Sequence, residues 1–175
     1  MTRPNDPARP REPHREALDP GIFGDQSPCF GCSPSHPVGL KLTFERIGEE
    51  VVTHYTPPER FQGPPGLMHG GLVLTLADEI AAWTVVGLER RFGFTGAVQA
   101  RLKKPVRIGQ PVVGRGRITT NRGRVVLVGV TLHQGDQLVF DGTFTFAVLD
   151  VDGAERLLGI ELPDAWRRFG REDDA

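Results

Sequence analysis

The run MHGGLVLTLADEIAAW, residues 68–83, sets a His-Gly-Gly triplet just ahead of an aspartate that lies inside a strongly apolar stretch. From Gly70 to about Phe92 the apolar residues, among them Leu72, Val73, Leu76, Ile80 and Trp83, cover nearly the whole circumference of a helix. The pattern predicts one long helix wrapped on all sides. Asp78 then sits two turns in, with Leu74, Thr75, Ala81 and Ala82 as its neighbours at three and four residues. An ionised carboxylate in such surroundings is costly unless it is paired or protonated. Positions where that cost is tolerated are commonly positions where chemistry is done. The alternative is an aspartate at an exposed edge or bonded to a turn; against it stands Glu79 beside it, the expected solvent-facing partner.

Gly70 and Gly71 have a logic of their own. The first N–H groups of a helix lack internal acceptors and carry positive potential. Two glycines let a ligand approach that backbone closely. Such an end stabilises the oxyanion formed when a carbonyl is attacked, by about 3–4 kcal/mol per donor. Acyl transfer is the chemistry this combination fits. A glycine pair that merely lets a loop enter the helix tightly is the alternative. The distance between the two features adds a constraint, because the spacing from Gly70 to Asp78 covers about 12 Å of helix at 1.5 Å per residue. One carbonyl cannot touch both in one chain. If both serve one reaction, the amide of one chain meets the carboxylate of another, which implies a homodimer with antiparallel helices and a shared active site. A tetramer is left open.

The elements that must position these groups follow from patterning. Leu40, Leu42 and Phe44 alternate with polar residues and, after a turn at residues 47–49, a second run covers residues 51–56, together a β-hairpin. The stretch TPPERFQGPPGLM is broken by prolines and glycines and predicts a long loop, of the kind that lines sites. After the helix, four strand-like runs cover residues 96–104, 111–120, 124–133 and 137–150. Turn signals at Asn121-Arg122-Gly123 and Gln134-Gly135-Asp136 separate the last three. An antiparallel sheet of about six strands curled around one long buried helix, an α+β fold, satisfies every face. Residues 1–27, rich in Pro and Arg, read as a flexible arm, 28–153 as the domain, and 154–175 as a polar tail with a short helix in PDAWRRF.

With these residues in hand, the chain resembles the PaaI-like hotdog-fold acyl-CoA thioesterases of the 4-hydroxybenzoyl-CoA thioesterase superfamily. The resemblance spans roughly residues 29–148. It rests on the CFGCSPSHPVGLKL opening, the His-Gly-Gly and Asp of the helix, and the strand TGAVQARLKKP. It implies that Asp78 is general base or nucleophile toward a CoA thioester, that Gly70 supplies the oxyanion amide, and that Thr95 assists. By itself Thr95 is an ordinary strand residue. Several members carry Asn or Gln six residues before the motif His; here Gly63 stands there and Gln62 beside it, so a catalytic role for Gln62 is a departure from the pattern. His69 has a suitable unperturbed pKa for proton transfer, but a structural role at the loop or helix start competes with that.

CoA, which enters as part of the substrate and not as a cofactor, carries a 3′-phosphate and a pyrophosphate. From Arg90 to His133 there are ten Lys and Arg residues and no acidic one. Lys103, Lys104 and Arg107 are the expected binders of those phosphates, a solvated sheet face being the alternative for each; Gly71, at the helix start, is expected to bind the CoA substrate as well. Cys29, Cys32 and His36 have a zinc-like spacing, but no second Cys pair exists and no metal is assigned; reduced thiols are expected. Lys plus Arg number 21 against 22 for Asp plus Glu, which gives no reason to expect nucleic acid. No membrane span or signal peptide is read from the sequence, and a cytoplasmic location is expected. Two other functions on the same fold compete: a dehydratase or hydratase using His with a carboxylate, and a non-catalytic acyl-CoA-binding protein.

Overall fold

The computed structural model describes residues 14–24 and 27–171. One long helix, α1 (Gly70–Glu89), lies against one antiparallel sheet of seven strands. The strands are β1 (Arg15–Leu18), β2 (Phe44–Ile47), β3 (Glu50–Tyr55), β4 (Phe92–Leu102), β5 (Val112–Asn121), β6 (Val125–Gln134) and β7 (Gln137–Leu149). Their order is β1-β2-β3-β5-β6-β7-β4, which leaves β1 and β4 as the edges. Two short helices follow, α2 (Val151–Leu158) and α3 (Asp164–Arg171). This is the expected α+β architecture with one strand more than expected.

The helix sits deep because the sheet makes room for it. Gly114 and Gly116 alternate on the inner face of β5, and a Cβ at either would fall 2.3 Å from Ile80 Cδ1 or 2.1 Å from Thr84 Oγ1. Their lack of side chains lets the helix axis approach the strand. Leu76, Ala77, Ile80, Ala81 and Val85 are fully buried there, facing Val128, Leu132, Phe144 and Phe146 of the sheet. On the far side Trp83 stacks on Phe44 with ring centroids 5.0 Å apart. By length and hydropathy α1 is long and apolar enough to cross a membrane, contrary to the reading that no segment is, but 56% of its most apolar window is buried inside the fold.

Four expectations are corrected. The helix ends at Glu89, where Arg90 turns left-handed (φ 52°), so Phe92 opens β4 instead of closing the helix. The run from Gly39 does not begin as a strand: Leu40 and Leu42 donate their amides to the Phe30 and Gly31 carbonyls, and pairing with β3 starts only further on. Within the supposed flexible arm, Arg15–Leu18 pairs with β2, and Leu18 packs so closely on Gly87 that a Cβ there would lie 2.6 Å from it. Residues 1–13 and 25–26 of the arm lie outside the described residues. The C-terminal segment is not a polar tail, because Ala154, Leu162 and Phe169 are buried. Trp166 donates its indole N–H to the Phe23 carbonyl at 2.9 Å, and Phe23, Phe92, Trp166 and Phe169 form one aromatic cluster joining both ends of the described chain.

Candidate active site

His69 stands at the N-cap of α1, and its Nδ1 accepts the Gly71 N–H at 3.0 Å. The His69 amide is itself tied to the Phe61 carbonyl at 2.9 Å. His69 thus shapes the helix start. The cap occupies the Gly71 amide, whereas the Gly70 N–H has no acceptor among the described residues. A methyl group at Gly70 would meet Leu102 Cδ2, at the end of β4, at 3.2 Å. The preceding loop is held on two sides: Gln62 Oε1 accepts the Gly66 N–H at 3.1 Å, and the Met68 amide donates to the Val106 carbonyl at 2.8 Å. Gln62 therefore braces the loop, and the isolated pairing of Leu67 with Arg107 brings that arginine beside it.

Asp78 projects from α1 toward β4, where the Thr95 hydroxyl donates to Asp78 Oδ1 at 2.8 Å. A β-bulge between Thr95 and Ala97 makes this meeting possible. Strand side chains alternate, so Gly93 and Thr95 face the helix, and the extra residue resets the phase so that Val98, Ala100 and Leu102 face inward afterwards. Gly96 lies within the bulge. The strand begins at Phe92, ahead of the expected run 96–104, so Thr95 lies inside β4. Asp78 is half-buried, and loss of solvent raises its pKa above the usual carboxylate value while the Thr95 hydrogen bond pulls it back. Two of the sequence-predicted catalytic groups, Asp78 and Thr95, are in contact; the Gly70 amide lies two turns away on the same helix.

Glu79 is the residue that sequence reasoning misplaced. Instead of facing solvent it points under the turn CFGC, where its Oε1 shares a hydrogen bond with the Cys29 sulfur at 3.3 Å. Burial pushes its pKa up to about 8. Cys29 accepts hydrogen bonds from the Cys32 thiol and amide, which lower its pKa to about 5, and donating that bond, together with burial, raises Cys32. Both cysteines are free thiols. The Cys-x-x-Cys spacing was the available signal, but its partner is a helix residue far along the chain, and His36 instead accepts the Val38 amide at 3.3 Å and sets its ring edge to Phe30.

The basic run divides. Lys103 is paired with Asp141 at 2.8 Å and Arg115 with Glu50 at 2.9 Å. Arg101, Arg115 and Arg117 line a depression of about 720 Å³ on the outer face of the sheet, away from α1. Lys104 and Arg107 are exposed and form no ion pair among the described residues.

The comparisons with known proteins agree with the fold. The family description "Thioesterase superfamily" matches residues 65–140, which include the helix with its His-Gly-Gly and Asp78, and Thr95. The chain has a hotdog fold. Among solved hotdog structures, a thioesterase superfamily protein superposes with a TM-score of 0.64 at 18% identity, over 81% of this chain and 68% of its own. A thioesterase from Haemophilus influenzae gives 0.60 at 20% identity, over 67% and 85%. A protein from Streptococcus mutans UA159 bound to acetyl-CoA gives 0.54 at 24% identity, over 58% and 82%. A curated relative, methylthioribose-1-phosphate isomerase of Aquifex aeolicus (strain VF5), is 26% identical over 87 residues; these are 50% of this chain and 18% of the relative, so the chain spans under a fifth of that protein's length.

Proposed function

We propose that this hotdog protein hydrolyses an acyl-CoA thioester to the free acid and CoA, at a site shared between two copies of the chain. The observation that carries the reading is the Asp78–Thr95 hydrogen bond: a half-buried carboxylate with a raised pKa, aimed by a hydroxyl at the open edge of the sheet. As ionised base or nucleophile, Asp78 assists attack on the thioester carbonyl, and the sulfur leaves as the CoA thiol. The developing oxyanion rests on the uncapped Gly70 amide of the other copy. Two copies are called for because β4 is an edge whose inner-face residues Val98 and Leu102 are open to solvent, where the corresponding residues of other strands are covered by α1. A second chain laid against β4 covers them and brings its helix start toward Asp78.

The acetyl-CoA found on the Streptococcus mutans hotdog protein supports CoA as the carrier. Lys104 and Arg107 are the favoured binders of its phosphates, Lys103 being already paired. The use of His69 Nδ1 as a cap speaks against a hydratase built on His and a carboxylate. The resemblance to PaaI-like members favours that branch. The test is release of free thiol from short, medium, long and aromatic acyl-CoA substrates. Wild-type protein is expected to turn over at least one class, and Asp78→Asn to lose about 10²–10⁴-fold in kcat while still binding CoA. Equal turnover by the variant would remove Asp78 from the reaction, and binding without hydrolysis of any substrate class would favour a non-catalytic acyl-CoA binder.

A further inference from the structure

We propose that Cys29, Cys32 and Glu79 bind one divalent metal ion of the zinc type, tying the N-terminal turn to α1. Their three donor atoms lie within 4.8 Å of one another, and the Cys29 Sγ to Glu79 Oε1 distance is 3.3 Å. In a tetrahedral zinc site with Zn–S near 2.3 Å and Zn–O near 2.0 Å, neighbouring donors are about 3.5–3.8 Å apart. The side chains therefore need to move by no more than about 1 Å to enclose an ion.

The turn is shaped around the carboxylate. A Cβ on Gly31 would fall 2.1 Å from Glu79 Cδ, so only glycine between the two cysteines lets the turn close over it. The Phe30 and Gly31 carbonyls are fixed by the Leu40 and Leu42 amides at 2.9 Å each, and the Cys32 amide points at Cys29 Sγ at 3.4 Å. Two thiols and a carboxyl group are thereby held together, and among the described residues no Lys, Arg or His pairs with Glu79. Such a group of donors lacks a positive partner, and a divalent ion supplies one. Two sulfur ligands select a borderline-soft ion such as zinc over magnesium or calcium. On binding, the two thiols and the Glu79 carboxyl give the protons they hold to solvent as their sulfur and oxygen atoms take up the ion. Three protein ligands leave the fourth position to solvent.

The site neither depends on the proposed hydrolysis nor supplies it, so the test reads metal alone. The full chain is reduced, stripped with chelator, given zinc and dialysed. The expected result is one zinc per chain by atomic emission, a raised Tm, and, with cobalt in its place, thiolate-to-metal charge-transfer absorption. Cys29→Ser and Cys32→Ser should each lose the bound metal, and Glu79→Gln should weaken binding by about 10-fold or more, with circular dichroism confirming that each variant is folded. Asp78→Asn should keep full stoichiometry. Absence of bound zinc in the fully reduced chain, retention by the double serine variant, a cobalt spectrum without thiolate bands, or closure of a Cys29–Cys32 disulfide that zinc does not slow would each overturn the assignment.

Discussion

At the scale of single residues, the Asp78 carboxylate is held in opposing directions. Burial favours its protonated form and the Thr95 hydroxyl favours its ionised form. If the ionised form is the active one, turnover falls as pH drops through the raised pKa. Removing the hydroxyl in Thr95→Ala takes away the influence that lowers it, so the acid limb of the kcat–pH profile should move toward neutral, and Thr95→Ser should restore its position. Stability follows the same physics with its own sign. Because the folded pKa lies above the ordinary value of 3.8, the native state binds more protons than the unfolded chain between those two values. Stability is therefore lost as pH rises through that window. Asp78→Asn removes the penalty, so thermal unfolding at neutral pH should occur at a higher temperature than in wild type, by roughly 2–4 °C for each kcal/mol relieved. The gain should vanish below the ordinary carboxylate range. A variant that loses turnover while gaining stability distinguishes a functional carboxylate from a structural one.

At the scale of elements, α1 and its seat on β5 decide where the site lies. Gly116→Ala places a methyl group 2.1 Å from Thr84 Oγ1 and against Ile80, so a loss of about 1–3 kcal/mol is expected from denaturant unfolding. Gly70→Pro tests the helix start. Proline is tolerated at the first helical position, and the exposed Leu102 side chain, 3.2 Å from an added Cβ, has room to shift, so the fold should survive while kcat drops about 10²–10³-fold. Much of this scale was legible in the sequence. The helix declared itself through apolar residues on every face, and the strands after it through turns at Gly123 and Gly135, both of which adopt positive φ. Asp78 was legible as an anomaly of type against surroundings. Thr95 carried no signal of its own, because its approach to Asp78 depends on a bulge that only Gly96 hints at. The burial of Glu79 was hidden as well, since it is imposed by a turn some fifty residues earlier. Strand β1 was missed for the same reason: Leu18 is its one large apolar residue, and its seat is Gly87 of α1.

At the scale of the whole molecule, the uncovered inner face of β4 is the feature a single chain does not resolve. Were Asp78 of one chain to work with Gly70 of another, two dead variants should complement. Mixing Asp78→Asn and Gly70→Pro chains after partial unfolding produces mixed dimers in which one of two sites is intact. Statistical pairing would then restore about a quarter of the wild-type rate. Thiol release read alongside light scattering checks this. Absence of any recovery in demonstrably mixed dimers would show that the two groups do not serve one shared site.

The aromatic cluster that gathers both ends of the described chain also gives the protein a built-in pair of optical reporters. It has two tryptophans: Trp83 sits in the core against Phe44, and Trp166 sits in the cluster with its indole bound to the Phe23 carbonyl. Replacing Trp166 with Phe leaves emission from the centre alone, and replacing Trp83 with Phe leaves emission from the terminal clasp. Comparing the two during denaturation would reveal whether the clasp releases before the helix is exposed, or whether both let go in a single step.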